Sequence, residues 1–317
     1  MSIEDLPPAP PMPPTFRAPG AADTPAAPVG ARSWWGLVYS AIAGYRELEL
    51  DVHVPTGHPS PVGLVVWMHG GAWLFGSRVN LPEYWPEGSL FQSLIDAGLA
   101  VASIDYRHSR EAPFPAQLHD AKAAVRYLRA FADDFGIDPD RIGVWGESAG
   151  GHLAALVALT GDIAELEGDD GIVGPSSAVS AIVDFYGVSN LVTMPSLLES
   201  FPPEWITQLE AMGGDLPPDP MQVLLAGSPL PEAQRATSAS PVTWISPNAP
   251  PFLLVHGDAD TVVPHAQSTE LHERLTASGI PVELVTVAGA DHVFVGADPV
   301  PLIELGTAFL RRHLGTR

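Results

Sequence analysis

The sequence predicts an α/β fold, with a mostly parallel central sheet covered by helices on both faces. Two observations carry that expectation. Apolar runs of strand length alternate with segments of helical period from Tyr45 to Leu314, the pattern of linked βα units. Val62–Met68 (VGLVVWM) is apolar throughout, as a strand buried on both faces must be. The 317 residues are 46% hydrophobic and 16% charged, enough apolar material for a large core.

The elements follow in order. Residues 1–33 are rich in Pro and Ala and bury too little surface to offset their ordering entropy, so they read as a flexible arm. Residues 34–317 read as one domain. Tyr45–Val54 (YRELELDVHV) alternates apolar and polar positions, as a half-buried strand does. The Val62–Met68 strand ends in His69-Gly70-Gly71. Leu90–Ala97 suits a helix, Leu99–Ile104 a buried strand, and Leu118–Phe135 a long helix. A turn at residues 136–139 leads into a strand over Arg141–Trp145 and a small-residue helix over Ala149–Thr160. Val179–Phe185 and Phe252–His256 read as strands and His265–Ser278 as a helix. Val282–Val287 is a further strand and Pro301–Leu314 a final helix. Residues 190–247 interrupt the alternation with Pro195, Pro202, Pro203, Pro217, Pro218 and Pro220. Insertions of this kind are usually lids or binding loops.

Charge excludes several functions. The formal net charge is −22, and Lys122 is the only lysine. A nucleic-acid binder needs clustered Lys and Arg, and anionic membranes repel such a chain. Cysteine is absent, which removes disulfides, thiolate metal sites and thiol nucleophiles. No transmembrane run or signal-peptide pattern occurs. The expectation is a cytoplasmic monomer or homodimer acting on a small molecule.

Trp145-Gly146-Glu147-Ser148-Ala149-Gly150-Gly151 follows a strand and opens a helix. This is G-x-S-x-G in its required context, with Ser148 as the candidate nucleophile. The tight turn pushes the hydroxyl above the sheet edge, and only glycines tolerate the close approach of strand and helix. His69-Gly70-Gly71-Ala72-Trp73 follows another strand. Gly71 and Ala72, with Ala149, supply the candidate N–H donors of an oxyanion hole. Trp73 is expected to wall the pocket and His69 to tie the loop down.

A serine hydroxyl needs a general base. His292 is the candidate, because it sits just after the Val282–Val287 strand in a glycine-containing loop. His256 reads as structural, His152 lies on the wrong side of the elbow, and His272 and His313 read as helix-surface residues. The orienting carboxylate comes from His256-Gly257-Asp258-Ala259-Asp260. Asp260 is the choice, as it lies deeper toward the base, with Asp258 the runner-up. Asp291 adjoins His292 and faces it poorly, and Asp184 ranks last. No cluster has convincing metal-ligand spacing.

The sequence resembles the α/β-hydrolases of the hormone-sensitive-lipase-like esterase group. It is most similar to the branch of bacterial carbohydrate acetyl and feruloyl esterases (BD-FAE-like). The matching pieces are HGGAW (69–73), DYR (105–107), GIDPDRIGVWGESAGGHLAAL (136–156), HGDADTVVP (256–264) and DH (291–292). The resemblance implies an α/β-hydrolase fold, favours Asp260 over Asp258, and implies no metal and no organic cofactor. HGGAW stands where many relatives have HGGG, which points to the carbohydrate-esterase or formamidase-like branches. The expected activity is serine ester hydrolysis through an acyl-enzyme, on short-chain or aromatic esters, including acetylated or feruloylated carbohydrates. Glu147, Trp73 and Trp205 are expected to line the substrate pocket, with Trp205 contributed by the insertion. The alternatives are an aryl formamidase-like amide hydrolase and a non-catalytic hydrolase-fold binding module.

Overall fold

Short apolar strands that alternate with helices bury both sheet faces only when helices pack on each. The computed structural model describes residues 27–161, 163–200, 219–227 and 230–315. Among these, the strands are β1 (Ala31–Ser40), β2 (Leu48–Pro55), β3 (Val62–Met68), β4 (Ala100–Ile104), β5 (Ile137–Glu147), β6 (Ile182–Phe185), β7 (Phe252–Gly257) and β8 (Val282–Val287). They form one sheet in the order β1-β2-β4-β3-β5-β6-β7-β8. β2 runs antiparallel to β1 and to β4. The remaining pairs are parallel.

The helices are α1 (Ser89–Asp96), α2 (Ala116–Ala130), α3 (Ala132–Phe135), α4 (Ala149–Leu159), α5 (Pro220–Leu224), α6 (Glu232–Ser238), α7 (Ala266–Ala277) and α8 (Val300–Leu314). Strand β3 shows how the core divides. Leu64, Val66 and Met68 join Leu118, Leu153 and Leu271 of α2, α4 and α7 on one face. Val65 and Trp67 join Leu90, Ile303 and Leu310 of α1 and α8 on the other. Alternate side chains leave a strand on opposite sides, so both faces are apolar and both are covered.

Several boundaries differ from the sequence reading. β1 was not expected and starts at Ala31, inside the segment assigned to the arm. Register shifts after Trp34 and after Val38 break its period-two pattern, so hydrophobic alternation gave no signal. β2 begins at Leu48, after a turn in which Tyr45 is exposed. Phe131 (φ −105°, ψ 23°) separates α2 from α3 where one helix was expected. β5 starts at Ile137, within the expected turn, and β6 starts three residues late, at Ile182.

The parallel strands all end on one side of the sheet. The loops after β3, β5, β7 and β8 therefore meet at one rim.

Candidate active site

Ser148 sits between β5 and α4 with φ 52° and ψ −119°. A non-glycine residue at positive φ is strained, and the surroundings hold it there. Ser148 N–H donates to the Phe185 carbonyl at 2.9 Å. A Cβ at Gly146 would lie 2.1 Å from the Gly150 oxygen, and one at Gly150 would lie 2.0 Å from the Met68 oxygen. Both contacts are impossible for real atoms, so the strand and helix close on each other only through glycines.

The loop after β8 brings His292 over this serine. His292 Nε2 lies 3.1 Å from Ser148 Oγ, and Nδ1 lies 2.8 Å from Asp260 Oδ2. Asp260 follows β7, and its Oδ1 accepts from Val262 N–H at 2.9 Å and Val263 N–H at 2.8 Å. Burial would raise the Asp260 pKa, but His256 and His292 outweigh it and hold the carboxyl well below the usual range. An ionised carboxylate only accepts, so Nδ1 of His292 carries the proton. The Nε2 lone pair then faces the serine hydroxyl.

His256 is fully buried and supports the same carboxylate. Its Nε2 donates to the Val263 carbonyl at 2.8 Å and lies 3.2 Å from Asp260 Oδ2. Its Nδ1 accepts from Ser268 Oγ at 2.7 Å. The other aspartates have separate tasks. Asp258 accepts from Gly289 N–H at 2.6 Å, and Asp291 from Thr261 N–H at 2.8 Å. Asp184 accepts from Gly187 N–H at 2.9 Å.

The loop after β3 turns on three consecutive positive φ values, 109° at Gly71, 52° at Ala72 and 58° at Trp73. His69 anchors its start. The ring stacks on Tyr106 at 4.3 Å, and Nδ1 donates to the Gly70 carbonyl at 2.7 Å. Burial pulls the His69 pKa down to about 4, so the ring is neutral near pH 7. Gly70 N–H donates to Glu147 Oε1, which ties this loop to the residue before Ser148. Burial raises the Glu147 carboxyl, with His292 and the Gly70 N–H acting against it. Gly71, Ala72, Glu147, Ser148 and His292 all face one cavity of about 590 Å3. Ala149 is buried at the first position of α4, where N–H groups lack an acceptor within the helix.

Trp73 corrects one expectation. It does not line the cavity. Its ring is 1% exposed, and Nε1 donates to His152 Nδ1 at 3.1 Å. The left-handed turn at Ala72 and Trp73 drops the indole behind the loop, where it props α4. Trp205 lies outside the described residues, as do residues 201–218 and 228–229 of the 190–247 insertion. The sequence reading did not place Leu74, Phe75, Pro82, Arg110, Val262 or Val293 in the cavity wall, whereas Leu197, Leu198 and Pro220 fall in the insertion it assigned to substrate binding. Of these positions, Val262 alone lies within a quoted motif, HGDADTVVP. The His256 contact with Asp260 did carry a signal, because both belong to the same HGDAD string.

Among the described residues, no group of three or more His, Asp or Glu could hold a metal ion. No helix among them is long and apolar enough to cross a membrane.

The sheet order and the elbow, with three loops meeting above it, define an α/β-hydrolase. Within that class the chain belongs to the BD-FAE family, whose model matches residues 50–275. It is 30% identical over 256 residues to the esterase LipQ of Mycobacterium tuberculosis, covering 79% of this chain and 55% of LipQ. The chain spans about half the length of the curated relatives it matches. A truncated carbohydrate esterase from gut microbiota superposes with TM-score 0.75 at 28% identity, over 91% of this chain and 98% of that one. An esterase of the planctomycete Thermogutta terrifontis, solved with propionate bound, gives TM-score 0.65 at 25% identity. That match covers 91% of this chain and 97% of the esterase.

Proposed function

We propose that this chain is a serine carboxylic ester hydrolase working through an acyl-enzyme. The observation that carries the reading is the hydrogen-bonded line from Ser148 through His292 to Asp260 beside an apolar cavity. Ser148 Oγ attacks the ester carbonyl carbon while His292 Nε2 takes its proton. Asp260 orients the ring and stabilises the imidazolium. The N–H groups of Gly71, Ala72 and Ala149 bind the oxyanion. His292 then protonates the leaving alcohol, and the acyl-enzyme forms as the C–O bond breaks. Water, deprotonated by the same ring, attacks the acyl carbon and releases the acid and free Ser148. Glu147 holds the oxyanion loop through Gly70 rather than contacting the reacting carbon.

The substrates in this proposal are short-chain or aromatic esters, with acetylated or feruloylated carbohydrates among them. Three features support this. The cavity of about 590 Å3 suits a small ligand. Its wall includes Leu74, Phe75, Leu197, Leu198, Val262 and Val293. The similar gut enzyme is a carbohydrate esterase, and the Thermogutta esterase was solved with propionate. Residues 190–247 serve as a substrate-binding insertion, a reading supported by Leu197, Leu198 and Pro220 in the wall.

The test is hydrolysis of a p-nitrophenyl acyl series by the wild type and by Ser148→Ala. The wild type should favour short acyl chains over long ones. Ser148→Ala should lower kcat by at least about 10⁴-fold. Near-full activity in that variant overturns the mechanism, and a rate maximum at long chains overturns the substrate reading.

A further inference from the structure

We propose that Arg110 makes this site selective for esters that also carry a carboxylate. The inference rests on the ester-hydrolase reading above and adds the substrate's charge to it.

The first observation is charge pairing. In an acid-rich chain an arginine readily finds a carboxylate, and the arginines around Arg110 do. Arg46 pairs with Glu111 at 2.9 Å, Arg78 with Asp105 at 2.8 Å, and Arg107 with Asp120 at 2.7 Å. Arg110 is exposed and has no ion pair or hydrogen bond among the described residues. Its neighbour Glu111 is already engaged by Arg46 and by the His108 N–H.

The second observation is placement. Arg110 belongs to the wall of the cavity that contains Ser148. Glu147 is the one carboxyl among the described residues of that wall, and it is committed to Gly70 N–H. His292 is committed to Ser148 and Asp260. The rest of the wall is largely apolar. An exposed guanidinium at its edge is then the group that can meet a substrate anion. Phe75, 63% exposed, adds an apolar surface to the same wall.

The third observation is rigidity. Arg110 lies on a turn closed by Glu111 N–H and Ala112 N–H to the His108 carbonyl, at 2.8 Å and 3.1 Å. Ser109 N–H donates to the Trp73 carbonyl at 2.7 Å, and His108 Nε2 donates to the Gly76 carbonyl at 3.0 Å. The turn is thus tied to the oxyanion loop on both sides of Phe75. The backbone that carries Arg110 is thus held in fixed relation to the reacting centre, so only its side chain remains to be ordered on binding. Arginine suits the task, since its planar fork matches a carboxylate.

The carboxylate could lie on the acyl or the alcohol side of the ester, so the test has two arms. In the acyl arm, monoethyl adipate is compared with ethyl 6-methylheptanoate, its uncharged isostere. In the alcohol arm, 3-carboxyphenyl acetate is compared with 3-carbamoylphenyl acetate. The readout is the ratio of kcat/KM within each pair, in the wild type and in Arg110→Ala, Arg110→Lys and Arg110→Glu. A general loss of activity cancels in this ratio. The wild type should favour the carboxylate in at least one arm by about tenfold, the size of one charge-assisted hydrogen bond. Arg110→Ala should abolish that preference, Arg110→Lys should keep part of it, and Arg110→Glu should reverse it. Added salt should weaken it. Equal rates within both wild-type pairs overturn the proposal, as does a preference that survives in Arg110→Ala. Hydrolysis of the uncharged esters without any carboxylate preference defeats this inference alone. Failure to hydrolyse any ester defeats the underlying reading instead.

Discussion

At the scale of single residues, the site works by fixing which atoms carry protons. Asp260 stays ionised, which places the His292 proton on Nδ1 and leaves Nε2 free to accept from Ser148. Asp184, one strand over, behaves in the opposite way. Burial raises its carboxyl from 3.8 to about 7, against the influence of His256 and the Gly187 N–H. Between these two values the folded chain keeps a proton that the unfolded chain has released. Stability from this group is therefore greatest at low pH, falls as pH rises through the window, and is fully lost above it. Asp184→Asn mimics the protonated form. Its stability relative to the wild type should rise from pH 5 to pH 8 in denaturant titrations. A constant difference across that range would show that Asp184 does not titrate there. Residue identity was legible where chemistry dictates a motif, as with Ser148, Asp260 and His292. It was not legible for Arg110 or Phe75, whose meaning depends on which loop faces the cavity.

At the scale of elements, the β5–α4 elbow explains both the strain at Ser148 and the glycines around it. Strand β3 passes so close that the Met68 carbonyl occupies the space of a Gly150 Cβ. Gly150→Ala should therefore destabilise the protein by at least about 2 kcal/mol. It should also lower ester turnover in whatever folds, because the elbow can relieve the clash only by moving Ser148. Unchanged stability and activity would mean that the helix is free to shift. The buried strands β3 and β4 were legible because short, almost wholly apolar runs have few other uses. β1 was not, because its bulges break the alternation on which strand recognition depends. Trp73 was misread for a related reason. It was expected to wall the pocket, but two left-handed residues turn the side chain into the core.

At the scale of the whole molecule, the parallel sheet delivers four loops to one rim, and that arrangement was implied by the order of strands and helices alone. The net charge of −22 acts on the same scale. Like charges repel in the compact state, and salt screens that repulsion more than it weakens buried pairs such as Arg107 with Asp120. The unfolding midpoint should therefore rise when sodium chloride is increased from about 10 mM to about 150 mM, as followed by circular dichroism. A fall would mean that attractive surface pairs dominate.

The account depends most on Ser148 being an activated nucleophile under the control of His292 and Asp260. Peptide mapping by mass spectrometry after treatment with a fluorophosphonate measures this directly. The account predicts a phosphonyl adduct on Ser148, formed rapidly in the wild type and far more slowly in Asp260→Asn. A wild-type chain that remains unlabelled at Ser148, or an Asp260→Asn variant labelled at the wild-type rate, would contradict it.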